Sequence, residues 1–263
     1  MTERRQRQKE QRAAKREAER KRESRRELGR RLLTAVAFGV AVVVIFAVTG
    51  LFSGKGEGSL PGTYEDYRAQ TTACGAEQPP PEEIMTFDAP ETFPGLAGAE
   101  SATAIIATSC GEIRIELNLD GAPETVNSFV FLANEGYYDG QVFHRIAEDF
   151  VFQGGDPDAD GTGGPGYVIA DEHPPDGFVY EQGVVAMANR GARSTGSQFF
   201  VVTGENGKFL KNLFNVLGTV VSGQEAIDAI MAVPTATAPG SVEQSLPLES
   251  VYIESITIEI GRS

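Results

Sequence analysis

The 263-residue sequence is poor in the side chains on which metal-dependent and nucleophilic enzymes rely. It holds two histidines, two cysteines, four methionines and no tryptophan. His144 and His173 lie far apart, and neither Cys74 nor Cys110 has a Cys or His neighbour at metal-ligand spacing, which argues against a zinc site. The glycine-rich run "GGDPDADGTGGPGY" lacks the lysine and following helix of a phosphate-binding loop. Its aspartates resemble a calcium loop only weakly, because no glutamate closes it at the required position. No cysteine, serine or acid pair stands beside "VFHRIAEDFVFQGGD" (142–156) as a nucleophile or acid/base team. Neither a metal nor a cofactor is expected.

Positive charge is scarce outside one end. Residues 1–31 carry 14 Lys/Arg against 6 Asp/Glu, whereas the remainder carries 9 against 31. Such a split does not describe one uniform globule. The basic stretch has almost no apolar stripe and no interleaved aromatics, so it reads as a solvated cytoplasmic tail, with no nucleic-acid partner expected. Residues 32–52, "LLTAVAFGVAVVVIFAVTGLF", contain no charge. As a helix they would extend roughly 31 Å, enough for a bilayer core of about 30 Å. The arginines before this run place the N-terminus in the cytoplasm and the acidic remainder outside the cell membrane. The run is longer than the apolar part of a cleavable signal peptide, so an uncleaved, single-pass signal anchor in the lipid bilayer is favoured. Residues 53–100, with "SGKGEGSLPG" and "QPPPEE", read as a Gly/Pro-rich extracytoplasmic linker. Cys74 and Cys110 both fall on the outer side, where a disulfide is permitted; two unrelated thiols are the alternative.

From residue 101 the pattern changes to short strands: "TAIIATS", "GEIRIELN", "QVFHRI", "FVFQG", "GVVAMAN", "SQFFVVT" and a closing "VYIESITIEI". "APETVNSFVFLANEG" has helical spacing, with Pro123 in its first turn, Gly136 at its end and Val126, Phe129, Val130 and Ala133 on one face. "GQEAIDAIMAV" is a second amphipathic helix. Many strands and two helices predict a mainly β fold, a closed antiparallel barrel of about eight strands capped by two helices, preceded by a single transmembrane helix. Phe129, Phe131, Ile146 and Phe199 suffice to fill its interior.

The remaining polar constellation is Arg145, Gln153, Asn189 and Gln198, with Phe143, Phe150, Val151, Met187, Phe199 and Phe200 around it. In an alternating strand Gln198 and Phe200 share one face and Phe199 takes the other. A face combining Arg, Gln and Phe is not an ordinary core face, because burying unpaired polar groups is costly.

The segments "VFHRI", "FVFQGGD", "GTGGPGY", "VAMAN" and "TGSQFFV" make residues 101–263 resemble the cyclophilin family of peptidyl-prolyl cis/trans isomerases. The resemblance implies rotation of X–Pro bonds in proline-containing polypeptides, assisting the folding of extracytoplasmic proteins, by a domain expected to be monomeric. It implies that Arg145 is the catalytic residue, stabilising the twisted amide, and that Gln153 helps to hold it. Phe150, Val151 and Phe200 match the proline pocket, with Val151 where the family usually has methionine. Asn189, flanked by Ala188 and Arg190, matches the backbone anchor of the substrate; Gln198 is a further substrate-binding residue and Gly161 lines the neighbouring groove. Phe209, followed by Leu210, stands where many members have tryptophan, and Phe214 where many have histidine, which puts cyclosporin sensitivity in doubt. A catalytically weak module that binds proline-containing partners is the alternative reading. The loop "PTATAPGSVEQSLPLES" carries no interpretable signal.

Overall fold

The computed structural model describes residues 60–262. Among them are ten strands: β1 (Ser101–Thr108), β2 (Gly111–Leu117), β3 (Arg145–Ala147), β4 (Val151–Gly154), β5 (Val184–Met187), β6 (Phe199–Val202), β7 (Val216–Ser222), β8 (Thr235–Thr237), β9 (Gln244–Pro247) and β10 (Ile253–Gly261). Eight form one antiparallel sheet in the order β10-β1-β2-β7-β5-β6-β4-β3, and β8–β9 form a separate hairpin.

This corrects the closed barrel expected from the sequence: the sheet is open, a half-barrel with β10 and β3 as its edges. Among the described residues no ladder joins those edges, and only an isolated bridge, Val142 to Tyr252, approaches closure. The physical reason lies in strand length. β3 has three residues and β10 has nine, so there is no matching run of donors and acceptors to complete a ladder. The β8–β9 hairpin packs beside β3 and shields that edge instead. No helix among the described residues is long and apolar enough to cross a membrane. The tail and span read at residues 1–31 and 32–52 lie outside the described residues.

Alternation decides the two faces of the sheet. In β1 every second residue is buried, and Ala102, Ala104 and Ile106 point into the concave side. Phe129, Phe143, Phe152, Phe199, Ile113 and Ile115 join them in the inner cluster. Its aromatic rings meet edge to face, with centroids 4.9 Å apart for Phe143–Phe152 and 5.8 Å for Phe129–Phe199. The helix α2 (Pro123–Asn134), which follows the short α1 (Tyr64–Arg68), fills the open side with Val126, Phe129, Val130 and Ala133. Its N-cap residue, Ala122, supplies no capping side chain. Glu172 does so from a distant loop, accepting the backbone N–H groups of Glu124 (3.0 Å) and Thr125 (2.7 Å). At the other end Gly136 adopts φ +73°, and the Tyr137 N–H reaches back to the Leu132 carbonyl. The second amphipathic helix, α3 (Gln224–Met231), buries Ala226, Ile227 and Ile230.

Residues 60–100, read as a spacer, lie against the domain. Tyr67 is fully buried and donates to the His144 carbonyl at 2.9 Å. Backbone bonds link Ala73 N–H to the Ser250 carbonyl and Ser250 N–H to the Thr71 carbonyl. Cys74 and Cys110 form a disulfide that pins the segment to the turn between β1 and β2. Gly140, at φ +82°, allows a close pass of the chain: a Cβ there would sit 2.9 Å from the Pro80 carbonyl oxygen. The apolar residues Tyr64, Tyr67, Ala73, Phe87 and Phe93 give this Pro-rich stretch enough anchorage to be ordered.

One consequence is a pH-dependent stability. Burial, reinforced by the charges of Asp156 and Asp158, pushes the Glu82 carboxyl up to about 8. One of its oxygens is buried without a hydrogen-bond partner among the described residues. The neutral acid is therefore the form the fold favours. Its contribution is complete below about 4.5 and is lost as pH rises towards 8. Burial also pushes Asp156 up to about 6, and depresses His144, aided by the charge of Arg145, to about 4. Asp156 is mostly ionised by neutrality and the His144 contribution fails chiefly on acidification, so of these three Glu82 makes the largest change between pH 6.5 and 8. Glu82→Gln is expected to stabilise the protein at pH 8 by about 1–2 kcal/mol, after allowance for solvent screening. Thermal unfolding at pH 6.5 and pH 8 checks this: the variant should lose most of the wild-type fall in midpoint.

Candidate active site

The convex face of the sheet carries a second apolar cluster. Val151, Tyr180, Val184, Ala186, Phe200, Val202 and Val216 form it, with Phe150, Ala188, Leu210 and Phe214 packed against it. Strand register builds its polar border. Arg145 lies opposite Gln153, Gln153 opposite Phe200, and Phe200 opposite Ala186, so one row crosses β3, β4, β6 and β5. Phe199, one residue before Phe200, faces the inner cluster, as alternation predicts.

Arg145 is half-buried and held on several sides. Its Nη1 donates to Gln153 Oε1 at 3.2 Å, and its guanidinium carbon stands 5.3 Å from the Phe150 ring centroid. Gln153 Nε2 donates to Gln198 Oε1 at 2.9 Å, and Gln198 Nε2 donates to the Gly163 carbonyl at 3.0 Å. The chain of amides fixes donor and acceptor orientation at every link. On the opposite edge Nε and Nη2 each donate to one oxygen of Glu243, both at 2.7 Å. Burial acts to raise the Glu243 carboxyl, but the hydrogen bonds and charge of Arg145, helped by Ser245, hold it below the usual carboxylate range.

The other residues expected at the site are divided by the structure. Phe200 and Phe214 meet edge to face at 5.4 Å, with Val151, Phe150, Ala188 and Leu210 around the same cluster. Tyr180, not foreseen, fixes Phe214 by donating to its carbonyl (2.7 Å) and accepting its N–H (3.1 Å). Asn189 donates to the Leu213 carbonyl at 2.7 Å, and among the described residues no hydrogen bond engages its backbone N–H or C=O. Arg190 ties to the Gly161 carbonyl (2.8 Å), while the Gly161 N–H is taken by the buried Asp156 (2.6 Å). Phe209 is not part of the cluster. It is 83% exposed and, with Phe150, Glu148, Asn206 and Glu243, lines a hollow of about 460 Å³ beside Arg145. Phe143, Met187 and Phe199, grouped with the site on sequence, belong to the inner cluster: β5 and β6 turn Met187 and Phe199 to the concave face, and Phe143, which precedes β3, packs there against Phe152 and Phe199. Glu243 carries no sequence signal of a site residue, since it lies 98 positions from Arg145 in a loop without local pattern.

The arrangement offers an apolar pocket, the unpaired backbone N–H and C=O of Asn189 and the fixed cation of Arg145, and among the described residues no nucleophile stands beside them. Among the described residues no cluster of three metal-ligating side chains occurs. A family model described as cyclophilin type peptidyl-prolyl cis-trans isomerase/CLD matches residues 103–258. The chain is 40% identical over 179 residues to peptidyl-prolyl cis-trans isomerase B of Streptomyces anulatus, covering 61% of this chain and 98% of that protein. It is 38% identical over 176 residues to a probable peptidyl-prolyl cis-trans isomerase A of Mycobacterium leprae, covering 60% and 93%. Among solved structures it is similar to a cyclophilin type peptidyl-prolyl cis-trans isomerase of Cryptosporidium parvum, with a TM-score of 0.54 and 27% identity over 60% of this chain and 98% of that one. The same Cryptosporidium protein has also been crystallised in the presence of the dipeptide Ala-Pro, with the same similarity.

Proposed function

The chain belongs to the cyclophilin-type peptidyl-prolyl cis-trans isomerase family and is an enzyme of that class, and we propose that it turns X–Pro bonds over with Arg145 as its catalytic residue. An X–Pro amide resists rotation by about 18–20 kcal/mol because nitrogen shares its lone pair with the carbonyl. Twisting the bond ends that sharing and localises the pair on nitrogen. A guanidinium N–H aimed at that nitrogen finds an acceptor in the twisted state and little in the planar one, so it lowers the barrier rather than merely tightening binding. No covalent bond forms or breaks.

The observation that carries this reading is the row Arg145–Gln153–Phe200 beside the apolar cluster. The pyrrolidine ring enters the pocket of Phe150, Val151, Phe200, Leu210 and Phe214. The free backbone groups of Asn189, with Ala188 and Arg190 beside it, pair with the substrate chain, and Gln198 and Gly161 border its path. Of the five N–H donors of Arg145 three are engaged, leaving two for the substrate. The Cryptosporidium relative prepared with Ala-Pro supports a proline peptide as ligand. The test is the rate of cis-to-trans conversion of a short X–Pro peptide with and without Arg145.

The enzyme further acts, in this proposal, as a monomer on secreted or cell-surface proteins, held at the outer face of the cell membrane through residues 32–52. The uncharged run behind a basic tail supports the tether, and the Cys74–Cys110 disulfide supports an oxidising compartment. Fractionation of cells, with protease access to the domain from either side, tests it; a domain protected inside the cell would overturn it.

A further inference from the structure

We infer that Glu243 is a positioning residue for Arg145, delivered by a hairpin that the family resemblance left without a role. This rests on the proposed catalytic part of Arg145. β8 and β9 leave the main sheet after α3 and lie alongside β3, the strand that carries Arg145. Their register slips between Ala236 and Thr237, so that Thr237 faces Gln244 and an extra residue is accommodated in β9. Such a bulge bends the strand and re-aims its side chains. Glu243 precedes β9 directly, and its N–H is fixed by the Ser241 hydroxyl at 3.0 Å. Its carboxylate then meets the Nε–Nη2 edge of the guanidinium with two parallel 2.7 Å bonds.

Geometry separates positioning from blockade. The carboxylate takes the Nε edge and Gln153 takes one Nη1 proton, so the plane of the guanidinium is set from two independent elements, the hairpin and β4. One proton on each Nη stays available to the substrate. Without Glu243, Gln153 and the Phe150 ring would remain, but neither fixes the Nε edge, and the donor aimed at the proline nitrogen would be in place for only part of the time. Glu243 itself need not touch the peptide.

The test uses the full chain with wild type, Glu243→Ala, Glu243→Gln and Arg145→Ala side by side, following an X–Pro peptide by exchange NMR at saturating and limiting concentrations. Loss of aim is felt only in the twisted state, so Glu243→Ala is expected to lower kcat roughly 10- to 100-fold with KM little changed. Glu243→Gln keeps one acceptor and should fall between the two. With 15N-arginine label, the Arg145 Nε–H resonance should shift and exchange faster in Glu243→Ala while the backbone amide spectrum stays in place. A folded Glu243→Ala protein with unchanged or higher kcat, or with an unaltered Nε–H resonance, overturns the inference. If Arg145→Ala keeps the wild-type rate, it is the role of Arg145 that fails, and the two failures are told apart within one experiment.

Discussion

Arg145→Ala lowers kcat/KM on a short X–Pro peptide by about 10²–10³-fold and leaves the fold intact. The size follows from the loss of a donor that a transition state needs and a ground state does not, worth about 2.7–4 kcal/mol where such donors have been removed. The fold survives because neither partner left behind is trapped: Glu243 and Gln153 are only half-buried and can turn to water. The pocket beneath is built from β4, β5, β6 and β7 and does not depend on the arginine. Arg145→Lys should recover little. An ammonium is a point charge and cannot hold two oxygens of Glu243 while presenting a planar pair of donors to the substrate. The measurement is the peptide rate at matched protein concentration, with the unfolding midpoint recorded for each variant. A wild-type rate in folded Arg145→Ala would leave the pocket as a proline-binding surface whose catalysis comes from elsewhere.

The residues that betrayed this site did so through local pattern. "SQFFVVT" alternates, and the structure separates Phe199 from Phe200 as a period of two requires. "APETVNSFVFLANEG" shows its buried stripe and its stop at Gly136 without help from the rest of the chain. What failed depends on distance. Openness of the sheet is set by how far β3 and β10 run beside each other, a relation between residues more than a hundred apart. β7 is not among the strands read from the sequence; Gly218 interrupts its apolar run, and the backbone of Glu116 passes so close there that only glycine fits. Met187 alternates with Ala186 along β5 and so takes the inner face, whereas Phe143 precedes β3, and no strand alternation relates its side to that of Arg145. Glu243 has no motif at all; only the folded hairpin brings it to Arg145.

Removing the disulfide should produce the largest change in stability and almost none in catalysis. Cys74 and Cys110 are 36 positions apart, and closing a loop of that length restricts the unfolded chain by about 3–4 kcal/mol. For a domain of this size that corresponds to a fall in unfolding midpoint of roughly 10 °C. The folded state loses less than the unfolded state gains, because the segment is held by other means. Tyr67 stays buried with its hydroxyl on His144, Ala73 sits in the inner cluster, and Ser250 bonds the carbonyl of Tyr67 through its own hydroxyl at 2.6 Å. The bridge ends on the turn between β1 and β2, whereas Arg145, Gln153 and Phe200 sit on β3, β4 and β6, on the far side of the sheet order. Cys74→Ser/Cys110→Ser, compared with wild type in thermal unfolding with and without reductant, checks the stability; the peptide rate at 25 °C checks the site. A midpoint insensitive to both would mean that packing alone fastens residues 60–100, and a lost rate in folded protein would mean that this segment reaches the site by a route the strand order does not suggest.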